Sequence, residues 1–119
     1  MATTTTTVRL SVELTKALLN HLDPYPDQGR MGKLKVALTR AQQEYTKTHG
    51  HQDGPVPFTP PAALRAPLRV VCRFYANVWE LEEMMLWRPS VASAKDFGEA
   101  NGLLRRAREA RRIADALPV

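Results

Sequence analysis

The sequence has little cysteine and no targeting or membrane-spanning pattern. Its single cysteine, Cys72, cannot form an intramolecular disulfide, and its place in an apolar segment indicates a small buried side chain rather than a reactive thiol. The N-terminus lacks a basic region followed by an apolar run, and no stretch approaches the ~18 consecutive apolar residues of a membrane span. We therefore expect a soluble protein of a reducing compartment, the cytoplasm.

The chain also lacks the common signatures of catalysis and cofactor binding. It contains no G-x-S-x-G, no glycine-rich phosphate loop, no H-E-x-x-H and no C-x-x-C. His49, His51 and Asp53 form an H-x-H-x-D run of metal-ligand types, but such a run needs a fourth ligand and further groups to orient it. A solvated polar loop explains these residues better. We predict no catalytic residue, no cofactor and no metal site, which favours a protein that is not an enzyme.

The composition is that of one ordinary globular domain. The 119 residues are 44% hydrophobic and 24% charged, which argues against wholesale disorder despite nine prolines. We predict a flexible or extended N-terminal segment at residues 1–10 and a single α-helical domain at residues 11–119. The net charge of +5 is spread over both halves of the chain, and it permits an acidic partner such as nucleic acid.

The stretch from Pro67 to Trp87 predicts a central helix with little polar surface. At about 100° per residue, most of its charged side chains share one narrow stripe, and large apolar side chains cover the remainder. Pro67 suits the first turn of a helix, where its missing N–H needs no partner. Arg88 precedes a proline and therefore marks the end of the helix. Residues Ala62–Ala66 could add one helical turn ahead of Pro67, but Pro67 is expected to prevent a smooth continuation into the central helix.

Glu82 is the exception to the polar stripe of the central helix. It lies about 200° from Glu80, which puts it beside Val71, Tyr75 and Val78 on the least polar side. An unpaired carboxylate is costly to bury, so Glu82 is expected to form an ion pair, to reach the rim of the core, or to lie at an interface or cleft. If it contacts a ligand in a pocket, the chain is a small-molecule binder or an enzyme that uses Glu82.

Three further segments have the 3-4 spacing of apolar residues that predicts amphipathic helices. They run from Val12 to Leu22, from Met31 to Thr48, and from a capping residue at Ser93 to Leu117. We therefore predict an all-α fold, a single-domain bundle of four helices around the central apolar helix. The Gly- and Pro-rich residues 49–61 are expected to cross the surface as a strap that inserts Val56 and Phe58 into the core.

Three amphipathic helices are too few to cover the central helix, so the sequence predicts self-association, with a dimer as the simplest form. Met and Trp are common at protein interfaces. The residues expected to meet a protein partner or a second copy are Trp79, Glu82, Met84, Met85 and Trp87. The leading interpretation is a non-enzymatic interaction or adaptor protein that acts through protein–protein contacts.

The last predicted helix carries a basic stripe that favours an alternative function. Arg105, Arg108 and Arg112 have i, i+3, i+7 spacing and could contact phosphates without regard to sequence. Pairs at i, i+4 spacing, of Arg105 with Glu109 and of Arg111 with Asp115, would lower this basic potential.

A second route to nucleic acid begins at the N-terminus, where polar and apolar residues alternate before Ser11. This pattern resembles the start of the ribbon-helix-helix regulators over about residues 5–38. In that family a short strand pairs with its dimer mate and inserts alternate polar side chains into the major groove, so the resemblance implies that Thr5, Thr7 and Arg9 would read DNA. The loop at residues 23–29, with two prolines, is longer than the family pattern, and the apolar spacing after Gly29 differs from it.

Overall fold

The computed structural model describes residues 6–50, 54–86 and 94–118, with the backbone alone for residues 94–97. Within these residues the elements are β1 (Val8–Leu10), α1 (Val12–Leu22), α2 (Gly29–His49), β2 (Val56–Phe58), α3 (Ala62–Leu86) and α4 (Ala94–Ala116). The four helices confirm the predicted all-α fold, to which the strands add a small antiparallel sheet.

Helix α1 has the predicted bounds because its first turn is capped. The Ser11 hydroxyl oxygen accepts a hydrogen bond from the Leu14 N–H at 3.2 Å, which satisfies one of the free donors at the start of the helix. Leu14, Leu18 and Leu22 follow one another at every fourth position and are fully buried. The two prolines of the next loop prevent α1 from continuing beyond Leu22.

Helix α2 extends the predicted segment by one or two residues at each end. Leu34 and Leu38 bury its apolar stripe. Gly50 ends the helix with a φ of 83° and donates its N–H to the Thr46 carbonyl oxygen at 2.6 Å. This left-handed conformation is common directly after a helix and suits a residue without Cβ.

The connection between α2 and α3 inserts two side chains into the core, as predicted, and it also contains a strand. Val56 and Phe58 are buried, as predicted. In addition, β2 pairs antiparallel with β1, with Val8 opposite Phe58 and Leu10 opposite Val56. Val8 and Leu10 are buried as well, so the N-terminal strand belongs to the same core as the helices.

Helix α3 begins at Ala62, so the helical turn at residues Ala62–Ala66 is confirmed, whereas the expected break at Pro67 is wrong. Pro67 lies inside the helix, where it removes one backbone hydrogen bond. Leu64, Pro67 and Leu68 are all buried on one side of the helix. The burial of this extra turn offsets the lost hydrogen bond. Periodicity alone does not show that the turn is buried.

Helix α4 packs antiparallel along α3 through small side chains. Ala107, Ala110 and Ala114 are buried, as the predicted apolar stripe requires, and they allow the two helices to approach closely. Within the described residues, the buried core cluster extends along α3 as far as Trp79 and includes α4 from Leu103 onward. The last two turns of α3 therefore continue beyond the core.

Candidate interaction surfaces

One side of α3 is apolar and exposed. Five large side chains there expose between 51% and 65% of their surface: Val70, Phe74, Leu81, Met84 and Met85. At 100° per residue they share one side of the helix, roughly opposite the core-facing residues Leu64, Leu68, Val71, Cys72 and Trp79. These five exposed residues are referred to below as the α3 apolar face. Large apolar side chains that remain exposed side by side are a common feature of interaction surfaces.

Two of the residues predicted to meet a partner, Met84 and Met85, belong to the α3 apolar face. Trp79 does not, because it is only 7% exposed and its ring lies 5.3 Å from that of Tyr75 on the core side. It is thus a core residue in one copy of the chain. Trp87 lies outside the described residues.

Glu82 is exposed rather than enclosed among Val71, Tyr75 and Val78. The helical period places Glu82 on the same side of α3 as the core residues. The core cluster, however, ends at Trp79, about one turn before Glu82. Glu82 instead lines an open hollow of about 780 Å³ beside α4, together with Arg105 and Arg106. Of the alternatives predicted for Glu82, its exposure beside a hollow corresponds to the rim of the core or a cleft rather than to a buried ion pair. Small-molecule sites usually enclose most of the ligand surface, which an open hollow does not provide.

The sequence did not distinguish Val70, Phe74 and Leu81 from the other apolar residues of α3. Periodicity orders side chains around a helix but does not show which neighbours cover them. One signal was available, since Asn77 lies on the same side of the helix midway between Phe74 and Leu81. A polar side chain in the middle of an apolar row is typical of a surface that is not permanently buried.

Opposite charges flank the α3 apolar face on one edge. Glu80 accepts two hydrogen bonds from Arg111 of α4, from Nε to Oε1 and from Nη2 to Oε2, both at 2.7 Å. Hydrogen bonding by Arg111 is the main cause that lowers the pKa of Glu80 below its usual value. On the same edge, Arg73 lies half exposed, with Asp115 as a distant partner at 3.8 Å. The edge therefore carries a cation on one side of the midpoint of the face and an anion on the other.

A second surface is basic and joins β1 to α4. Arg105, Arg108 and Arg112 line a hollow of about 730 Å³ on the outer side of α4. Arg112 also lines a neighbouring hollow of about 300 Å³ with Thr7 and Arg9. Residues predicted separately, at the N-terminus and near the C-terminus, thus lie side by side. The four arginines are referred to below as the arginine surface, and Thr5 lies outside the described residues.

Little of the charge on the arginine surface is neutralised within the chain. Glu109, the predicted partner of Arg105, instead accepts a hydrogen bond from the Ser11 hydroxyl at 2.6 Å. Burial raises the pKa of the Cys72 thiol to about 12, and the nearby Glu109 carboxylate is the second cause. Among the residues that the structure describes, no ion pair within 4 Å involves the arginine surface, made of Arg9, Arg105, Arg108 and Arg112.

Strand β1 differs from the strand that the ribbon-helix-helix resemblance implies. It pairs with β2 of its own chain, whereas the strand of those regulators pairs with a dimer mate. The alternation itself is present, because Val8 and Leu10 are buried while Thr7 and Arg9 are exposed. The Thr7 and Thr59 hydroxyl groups are hydrogen-bonded at 2.6 Å and extend the contact between the two strands.

Neither a metal centre nor a membrane span is found in the part of the chain that the structure describes. Its His, Cys, Asp and Glu side chains form no group of three or more that could hold a metal ion. His51 and Asp53 of the H-x-H-x-D run lie outside the described residues. None of the helices there combines the length and the apolar composition needed to cross a bilayer.

Comparison of the chain with protein-family models found no match, and comparisons with curated proteins and with solved structures found no similar protein. The α3 apolar face and the arginine surface are the two features of the described residues that bear on function.

Proposed function

We propose that this chain is a protein-interaction module that pairs with a second copy of itself through the α3 apolar face. The observation that carries this proposal is the exposure of five large apolar side chains on the helix whose other side forms the core. Covering such a row removes apolar area from water, which is the main favourable term in most protein association.

The spacing of the apolar residues along α3 favours an antiparallel pairing. Val70 and Met85 lie equally far from a point between Asn77 and Val78, and Phe74 and Leu81 lie equally far from the same point. When two copies of α3 pair antiparallel about that point, Val70 of each copy meets Met85 of the other, and Phe74 meets Leu81. A two-fold axis through this point thus matches apolar side chains with apolar side chains.

The charges beside the α3 apolar face favour the same orientation. In an antiparallel pair of helices, the same edge of each helix faces the other copy, so Arg73 lies about 3 Å along the helix axis from the level of Glu80 of the second copy. In a parallel pair, opposite edges meet, and Glu80 lies opposite the edge that carries Glu82. Glu80 is already paired with Arg111 of its own chain, so its repulsion of Glu82 is weak. The charges therefore add only a small preference for the antiparallel orientation. The symmetric spacing of the apolar residues is the argument for a second copy of this chain as the occupant of the face.

The proposal describes a non-enzymatic adaptor in which pairing of α3 is the functional event. The apolar face supports a role in protein contacts. The hollow at Glu82 is open to solvent, which supports a role other than enclosing a small-molecule ligand. The single cysteine, whose thiol is buried, supports a cytoplasmic setting.

Cysteine cross-linking tests both the location and the orientation of the pairing. Asn77→Cys places a thiol beside the proposed two-fold axis, where the two copies of residue 77 are offset along the helix by about 1.5 Å. In an antiparallel dimer this variant should form an intermolecular disulfide under mild oxidation. Val70→Cys should not, because the two copies of residue 70 are then about 22 Å apart along the helix. The native Cys72 is buried and does not compete.

Gln43→Cys, on the exposed side of α2, is the control for random collisions. Disulfide formation by Asn77→Cys alone is the expected result. Equal cross-linking of Asn77→Cys and Val70→Cys would indicate a parallel pair, and cross-linking of Asn77→Cys no faster than that of Gln43→Cys would overturn the proposal.

A further inference from the structure

We infer that the arginine surface binds the phosphate backbone of double-stranded nucleic acid without regard to base sequence. The site consists of Arg9 from β1 together with Arg105, Arg108 and Arg112 from α4. All four side chains belong to one copy of the chain, so this inference does not depend on the pairing of α3.

The arrangement of the four arginines matches a linear array of phosphates. Arg105 to Arg112 spans about 10 Å of helix, a length that covers about three phosphates of one strand along a duplex axis. Arg9 continues the row, because it lines the smaller hollow beside Arg112. Guanidinium groups bind phosphate oxygens with two parallel hydrogen bonds, and those of the arginine surface are not held by carboxylates within the described residues.

Glu109 is the one carboxylate among the residues that line the larger hollow, and it keeps its negative charge beside the arginines. It accepts a hydrogen bond from Ser11 at the start of α1, and its charge acts on the buried thiol of Cys72. Four arginines against this one carboxylate leave the residues that line the two hollows with a net charge of +3.

The surroundings of the arginine surface favour duplex backbone over other polyanions. No aromatic side chain lines either hollow, so the surface has no platform for stacking the bases of a single strand. The exposed large apolar side chains of the described residues lie elsewhere, which leaves no group here to enter a lipid bilayer. The surface is a row of cations without aromatic or exposed large apolar side chains. Such a row fits the regularly spaced phosphates of a duplex.

Fluorescence anisotropy with a labelled short duplex of mixed sequence tests this inference on the full chain. With four phosphate contacts, the logarithm of the association constant should fall with the logarithm of salt concentration with a slope of about −3.6, a roughly 100-fold loss between about 50 and 200 mM salt. A second duplex of unrelated sequence should bind with equal affinity.

Two adjacent arginines provide a matched pair of variants. Arg112→Gln removes the residue shared by both hollows, and it should weaken binding roughly tenfold at about 50 mM salt and reduce the slope by about 0.9. Arg111→Gln makes the same charge change one position earlier, but Arg111 is already paired with Glu80, so binding should change less than about twofold.

Three results would overturn the inference: no binding of either duplex at about 50 mM salt, equal weakening by the two substitutions, or tighter binding to phosphatidylserine vesicles or to a single strand than to the duplex. The first would exclude a nucleic-acid function, and the last would assign the surface to a different anion.

Discussion

Replacing Leu81 with alanine should weaken self-association while leaving the folded chain intact. Leu81 keeps 60% of its surface exposed in one copy. Because full burial of a leucine side chain contributes about 1.5–3 kcal/mol, covering the exposed part contributes about 1–2 kcal/mol per copy. In a two-fold dimer both copies of Leu81 are covered, so the substitution should cost about 2–4 kcal/mol of association free energy. This corresponds to a roughly 30- to 1000-fold increase in the dissociation constant. Association also restricts side chains, so the measured change should lie near the lower end.

Sedimentation over a range of concentrations measures the dissociation constants of the natural chain, of Leu81→Ala and of a control, Gln43→Ala, on the exposed side of α2. Urea unfolding at concentrations where all three chains are monomeric should give free energies of unfolding within about 0.5 kcal/mol of one another. Equal dissociation constants for the three proteins would refute the reasoning. A large loss of monomer stability in Leu81→Ala would mean that Leu81 supports the fold and not an interface.

Three further substitutions test the packing of the fold. Gly32→Ala should destabilise the chain by about 1–3 kcal/mol in urea unfolding. The added Cβ would lie 1.9 Å from the Pro26 carbonyl oxygen and 2.7 Å from the carbonyl carbon of Asp27, and unchanged stability would contradict this packing. Gly98→Ala, whose Cβ meets nothing within 4 Å, should instead stabilise α4 by about 0.5–1 kcal/mol. Burial raises the pKa of Cys72 from 9.0 to about 12. The protonated thiol therefore contributes fully to the stability of the folded chain below pH 9, and this contribution is lost as the pH rises toward 12. Between about pH 8 and pH 10, the free energy of unfolding of the natural chain should therefore fall by up to about 1.4 kcal/mol more than that of Cys72→Ala. Parallel pH profiles of the two proteins would contradict a buried thiol.

The helices could be predicted from the sequence wherever local signals agreed with one another. In α1 the capping residue Ser11, the leucines at every fourth position and the prolines that follow all indicate the same bounds, and the structure confirms them. At the start of α3 the local signal and the packing disagree. Pro67 argues for a helix start, whereas burial of Leu64 extends the helix by five residues toward the N-terminus.

The sheet could be predicted only in part, because strand pairing joins residues that are distant in the sequence. The insertion of Val56 and Phe58 into the core followed from their apolar side chains in a polar loop, and it is confirmed. Their pairing with Val8 and Leu10, across almost fifty residues, has no local signature. The alternation of polar and apolar residues before Ser11 indicates an extended segment, but it does not show which strand that segment pairs with.

The candidate surfaces depend on where neighbouring elements end, which periodicity does not contain. Glu82 was predicted on the core side of α3 and is exposed because the core cluster stops at Trp79. Trp79 was expected at an interface and is buried. The proximity of Arg9 to Arg112 follows from the packing of β1 against α4, and no spacing in the sequence indicates it. Residue types with functional potential could thus be identified, but not their grouping.

The mass of the natural chain in solution tests the central claim most directly. One copy has a mass of 13.4 kDa. Sedimentation equilibrium should report twice this value at high concentration, with dissociation on dilution, as the proposed pairing through the α3 apolar face requires. A mass of 13.4 kDa at every concentration would contradict the account.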